Sequence, residues 1–377
     1  MLLYLFWALL LLIMYTYVGY PLVLWFLSRL ARKEVARGEM FPTVSVVIAA
    51  HNEELNIGRR IENLLDQDYP AELLDIIVVS DGSSDRTEEY TREYAPRSVR
   101  LFAERRSGKA SSLNVGVSAA KGEIVVFTDV RQAFAPDAIR RLVENFNDPS
   151  VGCVSGELLF YAGSDSTIKA DMGAYWYYEK WIRKMESATG SVIGATGAIY
   201  AIRTKLFCPS PRGTILDDVL TPMNCIKQGY RTVFDASAHA YDNFSTGVGQ
   251  EWRRKVRTLA GNWQLLSLVP WLLLPWSNPI ICRYVSHKLL RLLVPFAMIF
   301  LLIDSVLLSG FYFHVFALLQ IAFYSAALIG FFLPKTRIFR VVSLSYFFLM
   351  MNAAAIAGFW MWATGGCANA WHPVSKK

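Results

Sequence analysis

The sequence predicts an α/β domain carried on membrane-crossing helices, and three observations predict it. Apolar residues make up 54% of the chain, and the excess gathers at its two ends. Between about Thr43 and Asn243, short β-branched runs alternate with helical stretches. Acidic and small polar residues follow directly on several of those runs.

No charged side chain occurs from Leu2 to Ser28. Roughly 20 apolar residues cross a bilayer core, so residues 1–28 read as a transmembrane anchor. The stretch lacks a basic leading region and a small-residue cleavage site, which points to a retained anchor. Toward the other end, Leu289–Leu308, Phe311–Leu333 and Val341–Ala363 predict three more spans within residues 289–363. The uncharged run WQLLSLVPWLLLPWSNPIIC mixes Pro270, Pro275 and Pro279 with Trp263, Trp271 and Trp276. That mixture suits the headgroup layer, so residues 258–282 are expected to be interfacial. Arg29, Arg32, Lys33 and Arg37, then Arg253, Arg254, Lys255 and Arg257, then Arg283, Lys288 and Arg291, then Lys335, Arg337 and Arg340 should all face the cytoplasm. Four crossings with both termini outside satisfy that rule.

These clusters supply much of the net charge of +7. Attraction to anionic membrane lipid accounts for it, and nucleic acid is not needed as a partner. Cys153, Cys208, Cys225, Cys282 and Cys367 are scattered, with no C-x-x-C pair, so neither a zinc site nor a disulfide framework is indicated.

In the middle region, Val44–Ala49 is a continuous β-branched run, as a buried parallel strand is, and Ile76–Ser80, Val99–Phe102 and Ile124–Thr128 repeat the signal. Glu54–Gln67, Arg86–Tyr94 and Lys109–Ala120 are helical between them. The alternation predicts a parallel sheet with right-handed crossovers. Such sheets bind ligands beyond the carboxyl ends of their strands. There the chain places His51, Asn52 and Glu53, then Asp81-Gly82-Ser83-Ser84-Asp85, then Asp129-Val130-Arg131. Turn formation and helix capping explain any one of these aspartates equally well. Acidic strand ends converging on one crevice fit a site better.

VSVVIAAHNEE, IIVVSDGSSDRT and SGKASSLNVGVSAAKGEIVVFTDVRQAF, in that order, resemble the family 2 glycosyltransferases of the GT-A fold. The likeness runs from about Thr43 to Trp263 and is nearest to the membrane-bound cellulose synthase-like and poly-N-acetylglucosamine synthase-like branch. It implies a GT-A domain over residues 43–257 that uses a nucleotide-sugar donor, with UDP the expected nucleotide. His51 and Glu53 match positions that contact the nucleoside. Asp81 matches an aspartate that binds the uracil ring, and Lys109 lies in a segment near the donor pyrophosphate. Asp129 opens the D-x-D element, which touches the donor sugar and a divalent metal, so Mg²⁺ or Mn²⁺ is implied with Asp129 as its ligand. Arg131 stands where the second acid of that element belongs. It cannot bind the metal but can pair with phosphate, or it points to solvent.

ILDDVLTPMNCIKQGY resembles the acidic motif whose second member is the catalytic base, which assigns that role to Asp218. A carboxylate suits the task, and Asp217 beside it raises the pKa of one of the pair. Either aspartate could instead cap the following helix. The segment GSVIGATGAIYAIRTKLF resembles the acceptor side, and the aromatics of YWYYEKWIRKME either stack on sugar or pack in the core or at the membrane surface. EWRRKVRTLAGNWQ falls where polymer-forming members carry Q-x-x-R-W. Arg257 matches, whereas Arg254 and Thr258 replace the glutamine and the tryptophan. Arg254 and Arg257, with Asp217, are expected on the diphosphate and acceptor side, unless the arginines face lipid phosphates.

The resemblance therefore implies an inverting enzyme of a bacterial inner membrane with its catalytic domain in the cytoplasm. Its product is a β-linked surface exopolysaccharide with an export partner, or one sugar added to a lipid-linked acceptor. RRSGKAS lacks the earlier glycine and the G-K-[ST] ending of a P-loop, and no G-x-G-x-x-G follows the first strand. A pore, the remaining alternative, rests on Asp304 within the second span.

Overall fold

The computed structural model describes residues 1–160, 166–242 and 248–369. An eight-stranded mixed sheet lies at the centre of the GT-A-like domain, in the order β3-β2-β1-β4-β7-β6-β8-β5. Strands β1 (Val44–Ala50), β2 (Leu74–Asp81), β3 (Val99–Glu104) and β4 (Ile124–Thr128) are mutually parallel. These are the four strands expected from the β-branched runs. Along β1, Val44, Val46 and Ile48 pack into one core and Val47 into the other, the period-2 alternation of a strand covered on both faces.

The other half of the sheet was not anticipated. Strand β7 (Tyr200–Arg203) returns antiparallel to both β4 and β6 (Val151–Phe160). Strand β8 (Arg231–Asp242) runs parallel to β6, and the short β5 (Ala133–Phe134) edges it. Their sequences mix serine, glycine and charge with apolar residues, so no continuous run announces them. The first crossover helix, Ile57–Leu65, also begins later than expected. Asn52 takes a left-handed backbone conformation, the Glu53 amide donates to Thr87 Oγ1 (2.8 Å), and the Glu54 amide donates to Asp85 (3.1 Å). Those bonds tie the loop after β1 to the loop after β2 and delay the helix.

Among the described residues, four helices are long and apolar enough to cross a membrane: Leu2–Leu30, Ile281–Leu307, Phe311–Phe332 and Arg340–Ala363. The second starts well before Leu289 and carries Arg283, His287, Lys288 and Arg291 in its first turns. The helix Ser166–Thr189 accommodates them. Arg291 pairs with Glu179, and His287 meets Glu186 (2.8 Å) and Glu179 (3.2 Å). Arg283 donates to the carbonyls of Glu186, Thr189 and Ser191. Two aromatics of YWYYEKW serve packing, Tyr175 against Phe347 and Tyr178 as donor to the Tyr17 carbonyl, whereas Tyr177 and Trp181 are exposed.

Helix Val248–Leu268 runs unbroken across the expected boundary at 257/258, since nothing in RTLAGNWQLLSL stops a helix before Pro270. It packs along Arg340–Ala363, with Trp263 stacked on Trp362 (ring centroids 5.9 Å apart). The turn beyond that last helix brings Cys367 to the wall of the cavity described below. A helix crossing away from the domain would carry Cys367 roughly 30 Å off, so this placement departs from the four-crossing topology with both termini outside. Asp304 is buried, with one carboxylate oxygen lacking a hydrogen-bond partner, and is not part of that wall.

Candidate active site

A cavity of about 730 Å³ opens at the carboxyl end of β4. Lys109, at the start of helix Lys109–Ala119, reaches into it from one side. Asp129 and Arg131 enter from the end of β4, Asp217 and Asp218 from the first turn of helix Asp217–Lys227, and Arg254 and Arg257 from helix Val248–Leu268. Seven residues predicted for the site therefore share one cavity. His51, Glu53 and Asp81 stand at the neighbouring strand ends, outside its lining.

Asp81 is fully buried, and its carboxylate accepts the amides of Ser107 (2.6 Å) and Gly108 (3.1 Å to each oxygen). Gly108 has φ +94°, a left-handed turn that glycine adopts without strain. In this structure Asp81 thus fixes the Ser107–Gly108 rim and aims Lys109, while His51 Nδ1 donates to the Asp81 carbonyl (2.8 Å). Burial pushes the Glu53 carboxyl up in pKa, partly offset by Asn56 and Arg131.

Lys109 Nζ lies 2.7 Å from Asp129 Oδ1 and 3.9 Å from Asp217 Oδ2. Burial works against the Asp129 charge, but Lys109, with Arg131 and Arg257, outweighs it and holds that carboxyl below its usual range. Burial also raises Asp217 despite Lys109. Asp218 is pushed up to about 6, first by burial and then by Asp217. Leu216 is the residue before the helix and no aspartate side chain makes a cap hydrogen bond to it, while both aspartates stand in the helix's first turn, where its dipole favours their charge. One ammonium thus balances two carboxylates beside a third that is poised to exchange protons near neutrality.

The donor set suits a hard divalent cation. Asp217 Oδ2 is buried without a hydrogen-bond partner, and the Asp129 carboxylate already holds a cation, the Lys109 ammonium. Among the described residues, no three His, Cys, Asp or Glu side chains gather to hold a metal. Phosphate and water oxygens would have to complete the shell, as is usual for Mg²⁺.

Sequence reasoning missed Gln132, Asp242, Arg212, Gln264 and Gly197, all of which line the cavity. Gln132 donates to Asp242 (2.7 Å) and so joins the ends of β4 and β8. Arg212 lies in a Pro-Arg-Gly turn just before the acidic motif, a composition that could have flagged it. Gly197 touches the reactive pair: a Cβ there would sit 2.9 Å from Asp218 Oδ2. Gly197→Ala is expected to swing that carboxylate aside and slow turnover about 10- to 100-fold, with the melting temperature nearly unchanged. Initial rates and a thermal melt check both halves.

Residues 45–208 match the family model for Glycosyl transferase family 2. Those residues carry a family 2 glycosyltransferase domain. An uncharacterized glycosyltransferase of Nostoc sp. is 30% identical over 128 residues, which is 33% of this chain and 39% of that protein. Poly-β-1,6-N-acetyl-D-glucosamine synthase of Staphylococcus aureus is 24% identical over 229 residues, covering 59% of this chain and 55% of that one. The chain thus spans about half the length, or less, of these curated relatives. A solved mannosyltransferase of Pyrobaculum calidifontis, in complex with GDP-Man and Mn²⁺, superposes with a TM-score of 0.69 at 23% identity, covering 96% of this chain and 99% of that one. That likeness carries the fold. Among the described residues, four long apolar helices mark a membrane protein.

Proposed function

We propose that the chain transfers a sugar with inversion from a nucleotide-sugar donor, UDP-linked by the resemblance, to a β-linked surface polysaccharide. The observation that carries this reading is the facing of Asp218, raised to about 6, against the Lys109–Asp129 pair across one cavity. Asp218 takes the proton of the acceptor hydroxyl as that oxygen attacks the anomeric carbon. Lys109, Arg131, Arg254 and Arg257 hold the diphosphate and offset the charge that grows on it as the glycosidic bond breaks. His51, Glu53 and the Asp81-braced rim receive the nucleoside. A divalent cation on Asp129 would add Lewis-acid neutralisation of the leaving diphosphate.

A second reading, transfer of one sugar to a lipid-linked acceptor, is favoured by one observation. Among the described residues lining the cavity none is aromatic, and Thr258 stands at the wall near Arg257. Among these described residues a long glycan has no ring to stack on. Purified protein in detergent, given nucleotide sugars and then analysed for product length on a gel, separates a polymer from a single addition. No nucleotide release with any donor would overturn both. EDTA treatment is expected to abolish release and added Mn²⁺ or Mg²⁺ to restore it. Full activity without divalent ions would remove the metal role of Asp129.

A further inference from the structure

We propose that Gln264 is a positioning residue for the Asp217–Asp218 pair, an inference that rests on the catalytic reading of Asp218. Gln264 projects from helix Val248–Leu268 onto the loop that leads into the acidic motif. Its Oε1 accepts the Ile215 amide (3.0 Å) and its Nε2 donates to the Gly213 carbonyl (2.9 Å). One side-chain amide therefore closes both ends of the Gly213–Ile215 segment, and only Leu216 separates that segment from Asp217.

The bracing is specific. Gly213 is exposed, has φ +79°, and would have open space around a Cβ, so its own packing does not hold the loop. From the opposite side the Asp218 carbonyl accepts the Ala195 amide (2.7 Å). Thr214 bonds to the Pro211 carbonyl and Leu216 packs in the core, so the Gln264 clamp adds to that support from the helix side, opposite the backbone bond at Ala195.

Gln264 can act as a clamp because its helix is itself fixed. Gly261, one turn earlier, meets Leu216 and Ile215 so closely that a Cβ would lie 2.7 Å from Leu216 Cγ. On the other face Trp263 stacks on Trp362, and the Ala260 amide nitrogen lies 2.8 Å from where a Gly358 Cβ would stand. The apolar helix Arg340–Ala363 is in this way the back plate of the catalytic loop.

Gln264→Met keeps length and loses both hydrogen bonds. In detergent-solubilised full-length protein it is expected to lower kcat about 10- to 100-fold while the KM for the donor stays within about twofold. Asp218 then sits in altered surroundings, so the acid limb of the pH–rate profile shifts, and the Ile215 amide exchanges hydrogen faster. A Gln264→Glu variant, able to accept from Ile215 but not to donate to Gly213, should fall between. Unchanged kcat and an unchanged acid limb in Gln264→Met overturn the proposal, as does a loss of rate that merely tracks the fraction unfolded. If Gln264→Met does not fold, Gln264→Glu with wild-type kcat and acid limb overturns it. An Asp218→Asn variant separates the two levels: if it stays active, the catalytic reading fails, whereas if it is inactive beside a fully active Gln264→Met, only the positioning role fails.

Discussion

Replacing Asp218 with asparagine is expected to cut turnover by about 10²- to 10⁴-fold, the range for loss of a general base, and to raise the melting temperature. The two effects share one origin. Burial and the neighbouring Asp217 push the Asp218 carboxyl up to about 6, whereas an unfolded aspartate titrates near 3.9. The native state therefore holds this proton more tightly than the unfolded chain does. As pH rises from about 4 through about 6, the unfolded state gains relative to the native one. At neutral pH the ionised carboxylate costs the fold about 1–2 kcal/mol, scaled down from about 1.4 per pKa unit because the side chain keeps some solvent. Asparagine is neutral and nearly isosteric, so it removes that cost and should raise Tm by a few degrees. In the wild type the base works only when ionised, so the rate falls as pH drops through about 6. Kinetics across pH 4.5–8 together with melts of both proteins check the prediction. An Asp218→Asn variant with wild-type kcat sinks the base assignment, and a lowered Tm sinks the account of its strain.

How much of this was legible before the structure depends on what each residue signals locally. Strands β1 to β4 announce themselves because a strand covered on both faces is apolar at most positions, and VSVVIA and IVVFT are, with Ser45 and Thr128 the buried exceptions. Strands β6 to β8 carry Gly152, Ser155, Glu157 and Asp235 within buried stretches. The polar ones meet partners elsewhere in the chain, Arg183 for Ser155, Lys180 for Glu157 and Asn145 for Asp235, and Gly152 leaves room for Tyr230 and Leu206. No window of sequence shows those pairings. The acidic residues were legible as a set because strand ends in an open sheet converge. Their local bracing was not: the Asp81 oxygens accept the Ser107 and Gly108 amides, a contact that no strand-end pattern shows. Gln264 carries no local signal at all, since an isolated glutamine on a helix matters only through the loop it meets. The membrane helices were legible by hydropathy, but the basic start of Ile281–Leu307 was not, because its burial depends on Glu179 and Glu186 in another helix.

Lys109→Met should be the most destabilising single change in the cavity, and its pH dependence identifies the cause. Lys109 is the ammonium 2.7 Å from Asp129 and 3.9 Å from Asp217, and its own pKa is raised because those carboxylates outweigh its burial. Removing one partner of a buried pair leaves the other charge uncompensated, at about 3–5 kcal/mol. The Asp129 side chain keeps about a third of its surface open, so a loss near 3 kcal/mol is expected at neutral pH. The wild-type contribution of Asp129, whose pKa is depressed, is present above the unfolded value near 3.9 and fades as pH falls through its lower folded value. That of Lys109, whose pKa is raised, is present below the unfolded value near 10.4 and fades only at higher, strongly alkaline pH. Between about pH 5 and 10 the pair is fully formed. In the variant all three aspartates lose their neutralising partner and take up protons more readily, so the stability gap to wild type should narrow as pH falls toward 4. Donor affinity should drop about 10- to 100-fold, the worth of one charge-assisted bond to phosphate. A gap that stays constant from pH 8 to 4 would show that Lys109 contributes by packing alone. Lys109→Arg, which keeps the charge but not the compact geometry, should recover most of the stability and less of the donor affinity.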